Sequence, residues 1–274
     1  MKVIGIDIGG TKTSIGIVDI QNGKVLKKII IPSKKYKNDK KNLDNIIKNT
    51  NNIIGNHKIN KIGIGVPELI NNKGIIKGNY NFNWHNKNLS NYFSGKFNVK
   101  VDSDVRCHLR AERFYGYGKN LDNFIYINIG TGLSYSHFKN KKIYSGANGY
   151  AIHFASSKIS LYNPKKNNKI SLIPEDFYSG KSIIKILNNK KNSKKIINNI
   201  AESLGSLIGN LINTVDPGLI VLGGGVVVHN LNFKKILITH IRNYIFSDEV
   251  KKIKILTTKL QSETGLLGSA AIHK

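Results

Sequence analysis

The densest run of chemistry-bearing residues in this 274-residue chain is Asp7-Ile8-Gly9-Gly10-Thr11-Lys12-Thr13. A carboxylate closes a β-branched stretch, two residues without side chains follow, and two hydroxyls then flank an ammonium. Backbone N–H groups laid open in such a turn form an anion-binding concavity. The hydroxyls and the lysine add donors, and the carboxylate can hold hydrated magnesium. A Gly-Gly pair alone is an ordinary hairpin. The whole combination, echoed by Gly130-Thr131-Gly132 after Ile127-Asn128-Ile129, points instead to phosphate. Tyr178-Ser179-Gly180-Lys181-Ser182 is no Walker loop, because Glu175 occupies the earlier glycine position and no buried strand leads into it. No GxGxxG follows an expected strand, so a dinucleotide site is unsupported.

These residues need strands and helices to position them. Residues 2–8, 13–20 and 24–31 are expected strands, with Asn22-Gly23 as a hairpin turn. Leu43, Ile46, Ile47, Ile53 and Ile54 recur at near-helical spacing in residues 42–54. Strands are expected at 61–65 and 98–101, and a helix over 104–115 capped by Ser103 or Asp102. The second half repeats this grammar, with strands at 123–129, 133–138 and 141–144 and a polar loop over 157–168. Residues 183–215 are expected to be largely helical with a break near 188–193. A buried strand at 218–222, a helix at 233–246, a strand at 254–256 and a closing helix at 264–272 complete the chain. The motif Ile-Asp-Ile-Gly-Gly-Thr and its counterpart Ile-Asn-Ile-Gly-Thr-Gly are two copies of one strand–turn–strand device.

Composition narrows the classes. A formal net charge of +27 and a single cysteine, Cys107, stand out. One thiol excludes an internal disulfide framework, a cysteine-rich zinc site and a cysteine-held iron–sulfur cluster. No apolar run reaches the roughly 20 residues a membrane helix needs, and Asp7 falls where a signal peptide would be apolar. A soluble cytoplasmic protein is expected. Only Arg106, Arg110, Arg113 and Arg242 are arginines, the remaining basic residues being lysines in a chain rich in Asn and Ile. Specific nucleic-acid readers use arginine's planar fork, so the charge is read as lysine-rich surface that attracts small anions, without a nucleic-acid partner. Three of the four arginines cluster just after Asp104. They either pair with Asp102 or Glu112 on a solvated face or contact a phosphate or a subunit.

Several further runs complete an ordered pattern. Gly65-Val66-Pro67, Asn81 to Trp84, Ser103-Asp104, Ala111-Glu112 with Gly116 and Gly118, and Gly146-Ala147-Asn148-Gly149-Tyr150-Ala151 follow the first turn. Asp216-Pro217-Gly218 then leads to Leu222-Gly223-Gly224-Gly225, and Gly265 to Ala271 closes the chain. Taken in order over nearly the whole length, these motifs resemble the ROK family of sugar kinases, within the group sharing the actin, hexokinase and heat-shock ATPase fold. The resemblance implies an α/β, two-lobed actin-like ATPase (ribonuclease H-like) fold with an interlobe cleft. The expected lobes are residues 1–116, with helix 264–274 returning to them, and a larger lobe of residues 117–263. It implies a kinase that transfers the ATP γ-phosphate to a hydroxyl of a hexose or amino-sugar. Asp104 would be the base, although position alone reads it as a helix-capping acid. Asp7 would organise Mg²⁺ through water. Gly9, Gly10, Thr11, Lys12, Thr13, Gly130, Thr131, Gly132, Gly223, Gly224 and Gly225 would bind ATP. Asn81, Ser103, Asp104, Asn148, His153, Ser156 and Glu175 would bind sugar. A homodimer is the expected assembly.

The departures from the family pattern lie on the acceptor side. His153 stands for the family's sugar-binding Glu, Ser156 for its sugar- and zinc-binding His, and Ser103 for the Asn of the catalytic pair. The zinc cysteines have no counterpart, and residues 160–173 take their place, so no zinc is expected. Two readings compete. One is an active kinase with a remodelled acceptor pocket, in which these side chains still bond hydroxyls. The other is a catalytically weak or inactive nucleotide- or sugar-binding protein. The family's repressor branch is not expected, because the chain begins directly at the first strand.

Overall fold

The computed structural model describes all residues except Ser94 and 190–193. The chain divides into two compact units. One comprises Met1–Asp122, Ser136–Ala151 and Lys259–Lys274, and the other Asn123–Tyr135 and Ile152–Thr258.

The first unit is built on β1 (Lys2–Ile8), β2 (Lys12–Asp19), β3 (Lys24–Pro32), β4 (Lys61–Val66) and β5 (Asn98–Ser103), ordered β3-β2-β1-β4-β5. The first three strands are antiparallel neighbours, and β4 and β5 run parallel to β1. Helix α1 (Asp39–Ile54) begins earlier than its apolar spacing suggests, because the Asn38 side chain accepts from the Lys40 and Lys41 amides. Two-residue alternation sends Ile4, Ile6, Ile8, Ile62 and Ile64 into one core with Leu43, Ile46 and Ile53 of α1. Each such side chain contributes about 1.5–3 kcal/mol by burial.

The opposite sheet face carries Val3, Gly5, Asp7, Gly63 and Gly65, and against it pack α2 (Asp104–Tyr115) and α8 (Thr264–Ala270). A Cβ on Gly63 would strike the Ser269 carbonyl, so α8 reaches the strands backbone to backbone. That alternation directs Asp7, alone among the strand's end residues, toward the helices. Ser103 takes the cap position of α2 but makes no side-chain capping bond.

The second sheet is ordered β12-β11-β6-β7-β8. Its strands are β6 (Asn123–Ile129), β7 (Leu133–Lys139), β8 (Lys142–Tyr144), β11 (Leu219–Gly223) and β12 (Lys254–Thr257), and the division between the units falls within β7. The sequence suggests boundaries after residues 116 and 263, but residues 136–151 also group with the first unit, where Ala147 and Gly149 accept from Asn72 and Arg106. In the second unit, α5 (Lys194–Val215) and α7 (Leu231–Asn243) pack on one core with β6 and β11. Gly205 and Gly209 let α5 approach His240 of α7 and Tyr244 just beyond its end.

Three further helices, α3 (Pro174–Tyr178), α4 (Gly180–Leu187) and α6 (Gly225–His229), surround the second turn. The expected break at 188–193 begins where α4 stops, and its residues 190–193 lie outside those described. The polar loop expected over 157–168 is not a loop. Residues Ile159–Asn163 and Asn168–Leu172 form an antiparallel hairpin, β9 and β10. Ile159, Leu161, Ile170 and Leu172 pair across its two strands, an alternation hidden by the intervening Lys and Asn residues. No described helix is long and apolar enough to cross a membrane.

Candidate active site

In the first unit, Asp7 stands at the end of β1, where the strand enters the Gly9–Lys12 turn. The Gly9 amide donates to the Lys12 carbonyl at 3.0 Å and closes that turn, leaving Thr11 and Lys12 exposed. Gly265 backs the carboxylate so closely that a Cβ there would run into it. Burial raises the Asp7 pKa to about 6 against the opposing charge of Lys12.

Asp104 is the first residue of α2, and its Oδ1 accepts from the Val105 amide at 2.6 Å and from the Ser103 hydroxyl at 3.4 Å. Its pKa is also raised to about 6. Burial is the main cause and the negative charge of Asp7 adds to it, while His108, one helical turn on, works in the opposite direction. Asp7 pairs with Gly65 of β4, and the next residue, Val66, with Ser103 of β5, so the two carboxylates stand at the same end of the first sheet, one strand apart, and their charges interact.

Asn81 comes to the same turn. Its side-chain amide donates to the Pro67 carbonyl at 2.7 Å, which leaves its oxygen beside Gly10. The loop carrying it is ordered by Glu68, whose buried carboxylate accepts three successive amides, from Tyr80 at 3.0 Å, Asn81 at 2.5 Å and Phe82 at 3.0 Å. Phe82 and Trp84 stack at 4.1 Å beneath it. Nothing in the spacing of the sequence singles out Glu68. Its only signal is an acid placed between Pro67 and the apolar Leu69-Ile70.

Thr13 is set apart from the turn, since its hydroxyl is buried against Ser33 at 2.7 Å. Asn148 is exposed on the 146–150 loop. Of the arginine cluster, Arg106 and Arg110 pair with Asp102, but Arg106 is buried rather than on a solvated face, and Arg113 lies over the Phe138 ring.

The second unit holds the other turn. The Gly130 amide donates to the Gly132 carbonyl at 3.0 Å, and Thr131 is exposed. Glu175 Oε1 accepts the Leu133 amide at 2.7 Å and lies directly against Gly132. Gly224, at φ +96°, abuts the Ile129 carbonyl, and the Lys181 amide donates to the Gly130 carbonyl. Gly223 packs on the Tyr126 hydroxyl, and Gly225 starts α6. His153 Nδ1 and Ser156 Oγ lie 3.0 Å apart and bond to each other. The Glu175 amide donates to the Ala155 carbonyl at 2.9 Å, so the three residues share one neighbourhood, where desolvation lowers the His153 pKa and the Glu175 charge partly offsets this.

Among the described residues, no three His, Cys, Asp or Glu side chains gather as a metal-ligand set. A hard cation needs less of the protein. Mg²⁺ keeps most of its waters and takes one or two carboxylate oxygens, and Asp7, a desolvated carboxylate beside an exposed turn, suits that role.

The model of the ROK family matches residues 3–160 and 157–274 of this chain. The chain belongs to the ROK family. Its relatives include kinases and regulators. The glucokinase of Thermotoga maritima is 22% identical over 310 residues, covering 100% of this chain and 98% of that protein. The xylose repressor of Bacillus subtilis is 25% identical over 230 residues, covering 77% of this chain and 60% of the repressor. The crystal structure of a ROK glucokinase from Streptomyces griseus in complex with glucose and AMPPNP superposes with a TM-score of 0.84 at 20% identity, covering 99% of each chain. The fold is therefore the two-lobed, actin-like α/β fold of that ROK glucokinase structure.

Proposed function

We propose that this ROK protein is an ATP-dependent sugar kinase that transfers the γ-phosphate to a hydroxyl of a hexose or amino-sugar. The observation that carries the reading is the placement of Asp7, before the Gly9–Lys12 turn, and Asp104, at the start of α2, at the same end of the first sheet, with interacting charges and pKa values both raised to about 6. A carboxylate poised there is ionised at neutral pH yet basic enough to accept a hydroxyl proton as the oxygen attacks phosphorus.

Asp104 is the base. The Val105 amide and Ser103 hydroxyl direct one of its oxygens and leave the other for the acceptor hydroxyl. Asn81 offers its side-chain oxygen to a sugar hydroxyl, since its amide group is held by Pro67. The Gly9–Lys12 turn and the Gly130–Gly132 turn each supply amides and a hydroxyl to phosphate oxygens, and Lys12 adds positive charge. Asp7 would hold Mg²⁺ through water, and the bound ion would neutralise charge developing on the phosphates.

Two observations favour the second reading, a sugar or nucleotide binder with little turnover. His153 and Ser156 bond each other, and the Glu175 carboxylate is engaged by Leu133. A coupled ADP-release screen against a sugar panel, with Asp104→Ala alongside, separates the two. Sugar-dependent ADP from the wild type alone is the expected result. Sugar binding without ADP would favour the binder.

A further inference from the structure

Arg106 lies in the first turn of α2 and is only 4% exposed. A buried guanidinium is costly unless each of its edges is met. Here each edge is met in a different direction. Nε donates to Asp102 Oδ1 at 2.5 Å, one terminal nitrogen to the Gly149 carbonyl at 2.6 Å, and the other to the Ile70 carbonyl at 3.1 Å. Asp102 supplies the compensating charge. Burial would raise its pKa, but the guanidiniums of Arg110 and Arg106 outweigh that and hold it below the usual carboxylate value. Arg110 grips its second oxygen at 2.7 Å.

The two carbonyls belong to segments that also touch each other. Gly149 has φ +90°, and a Cβ there would press on the Ile70 carbonyl and Asn71, so the 146–150 loop lies backbone to backbone on the 70–71 turn. Outside this contact, Asn72 Nδ2 donates to the Ala147 carbonyl at 2.9 Å. The loop that displays Asn148 is thereby tied through one side chain to the helix whose first residue is Asp104.

We propose that Arg106 is a positioning residue for the acceptor. It touches neither sugar nor phosphate, but it sets where Asn148 stands relative to Asp104. The inference rests on the kinase reading of the same site, with Asn148 taken as the sugar contact that the family resemblance implies. Lysine cannot replace Arg106, because a single ammonium cannot reach an anion and two divergent carbonyls in the guanidinium's planar geometry.

The test uses the full chain with Arg106→Lys and Asn72→Ala. Steady-state kinetics are measured with the best acceptor from the sugar panel, and backbone hydrogen exchange is followed over residues 145–151. Arg106→Lys is expected to raise the acceptor KM about tenfold while the ATP KM stays within about twofold. Exchange over 145–151 should quicken while that of β1 stays unchanged. If Arg106→Lys does not fold, Asn72→Ala, at an exposed position, carries the test with an acceptor KM raised about two- to threefold. An unchanged acceptor KM in folded Arg106→Lys, or a rise of both KM values together, would overturn the inference while leaving the kinase reading intact. A wild type that releases no ADP with any sugar would instead overturn the kinase reading, and unchanged exchange over 145–151 would show that the tie itself does not exist.

Discussion

The two glycine turns are the same backbone device in different surroundings. In the first unit, the residue two before the turn is Asp7, a desolvated carboxylate with Gly265 at its back. In the second unit, the equivalent residue is Asn128, whose amide packs on Gly130. The acid near that turn, Glu175, comes from α3 and accepts the Leu133 amide. On the proposed kinase reading, one turn presents a carboxylate for chemistry, whereas the other uses a carboxylate to keep its own backbone in place. On the same reading, the repeated strand–turn–strand shape would serve anion binding, and the provenance of the neighbouring acid would decide whether the turn takes part in the reaction or only holds phosphate.

Exchanging the two strand-end residues tests this contrast most severely. Asp7→Asn should lower kcat by about a hundredfold or more, with Mg²⁺ dependence weakened, whereas Asn128→Asp should change kcat by less than about fivefold. Comparable losses in both would erase the distinction.

The rigidity of the second turn is tested next. At Gly224 the φ of +96° and the abutting Ile129 carbonyl exclude a side chain, so Gly224→Ala should cost about 2–4 kcal/mol in denaturant unfolding. Glu175→Gln probes the buttress. It should raise the ATP KM about two- to fivefold by weakening the bond to Leu133, with a smaller effect on the acceptor KM. The reverse order would make Glu175 a sugar ligand instead.

The pH response sets the two regions apart more gently. With Asp104 titrating at about 6, kcat/KM should fall on acidification through that value as the base becomes protonated. The stability linkage has the opposite sense. A carboxylate whose pKa is raised in the folded state stabilises the fold fully below its unfolded value near 4, and that contribution is lost as pH rises through about 6. After allowance for solvent screening and for the favourable place of an acid at a helix start, Asp104→Asn should be more stable than wild type at pH 8 by about 1 kcal/mol. At pH 4 it should have no such advantage. Thermal melts at the two pH values check this.

Much of the fold was legible because β-branched alternation and glycine turns are local signals. The 2–8, 13–20 and 24–31 strands, both turns and the α2 helix stand out against their surroundings. The 159–172 hairpin did not, since Lys and Asn dilute its alternation. At the site, Asp7 and Asp104 were visible as candidates, one from its turn and the other from the ordered motifs. Glu68 and the partners of Arg106 were not, because a carboxylate bound by amides twelve to fourteen residues away, or a guanidinium meeting two distant carbonyls, leaves no periodic trace. Thr13 shows the converse. Its place in the motif suggests a phosphate contact, but strand alternation turns its hydroxyl inward to Ser33.

On the proposed reading, Asp104 is the base of a phosphoryl transfer to sugar. The most direct test compares sugar-dependent ADP release by wild type and Asp104→Asn at pH 8, with nucleotide affinity measured in parallel. The expected result is a kcat lower by about 10²–10⁴-fold in the variant with nucleotide binding retained. Equal turnover by the variant, or no sugar-dependent turnover by the wild type, would contradict it.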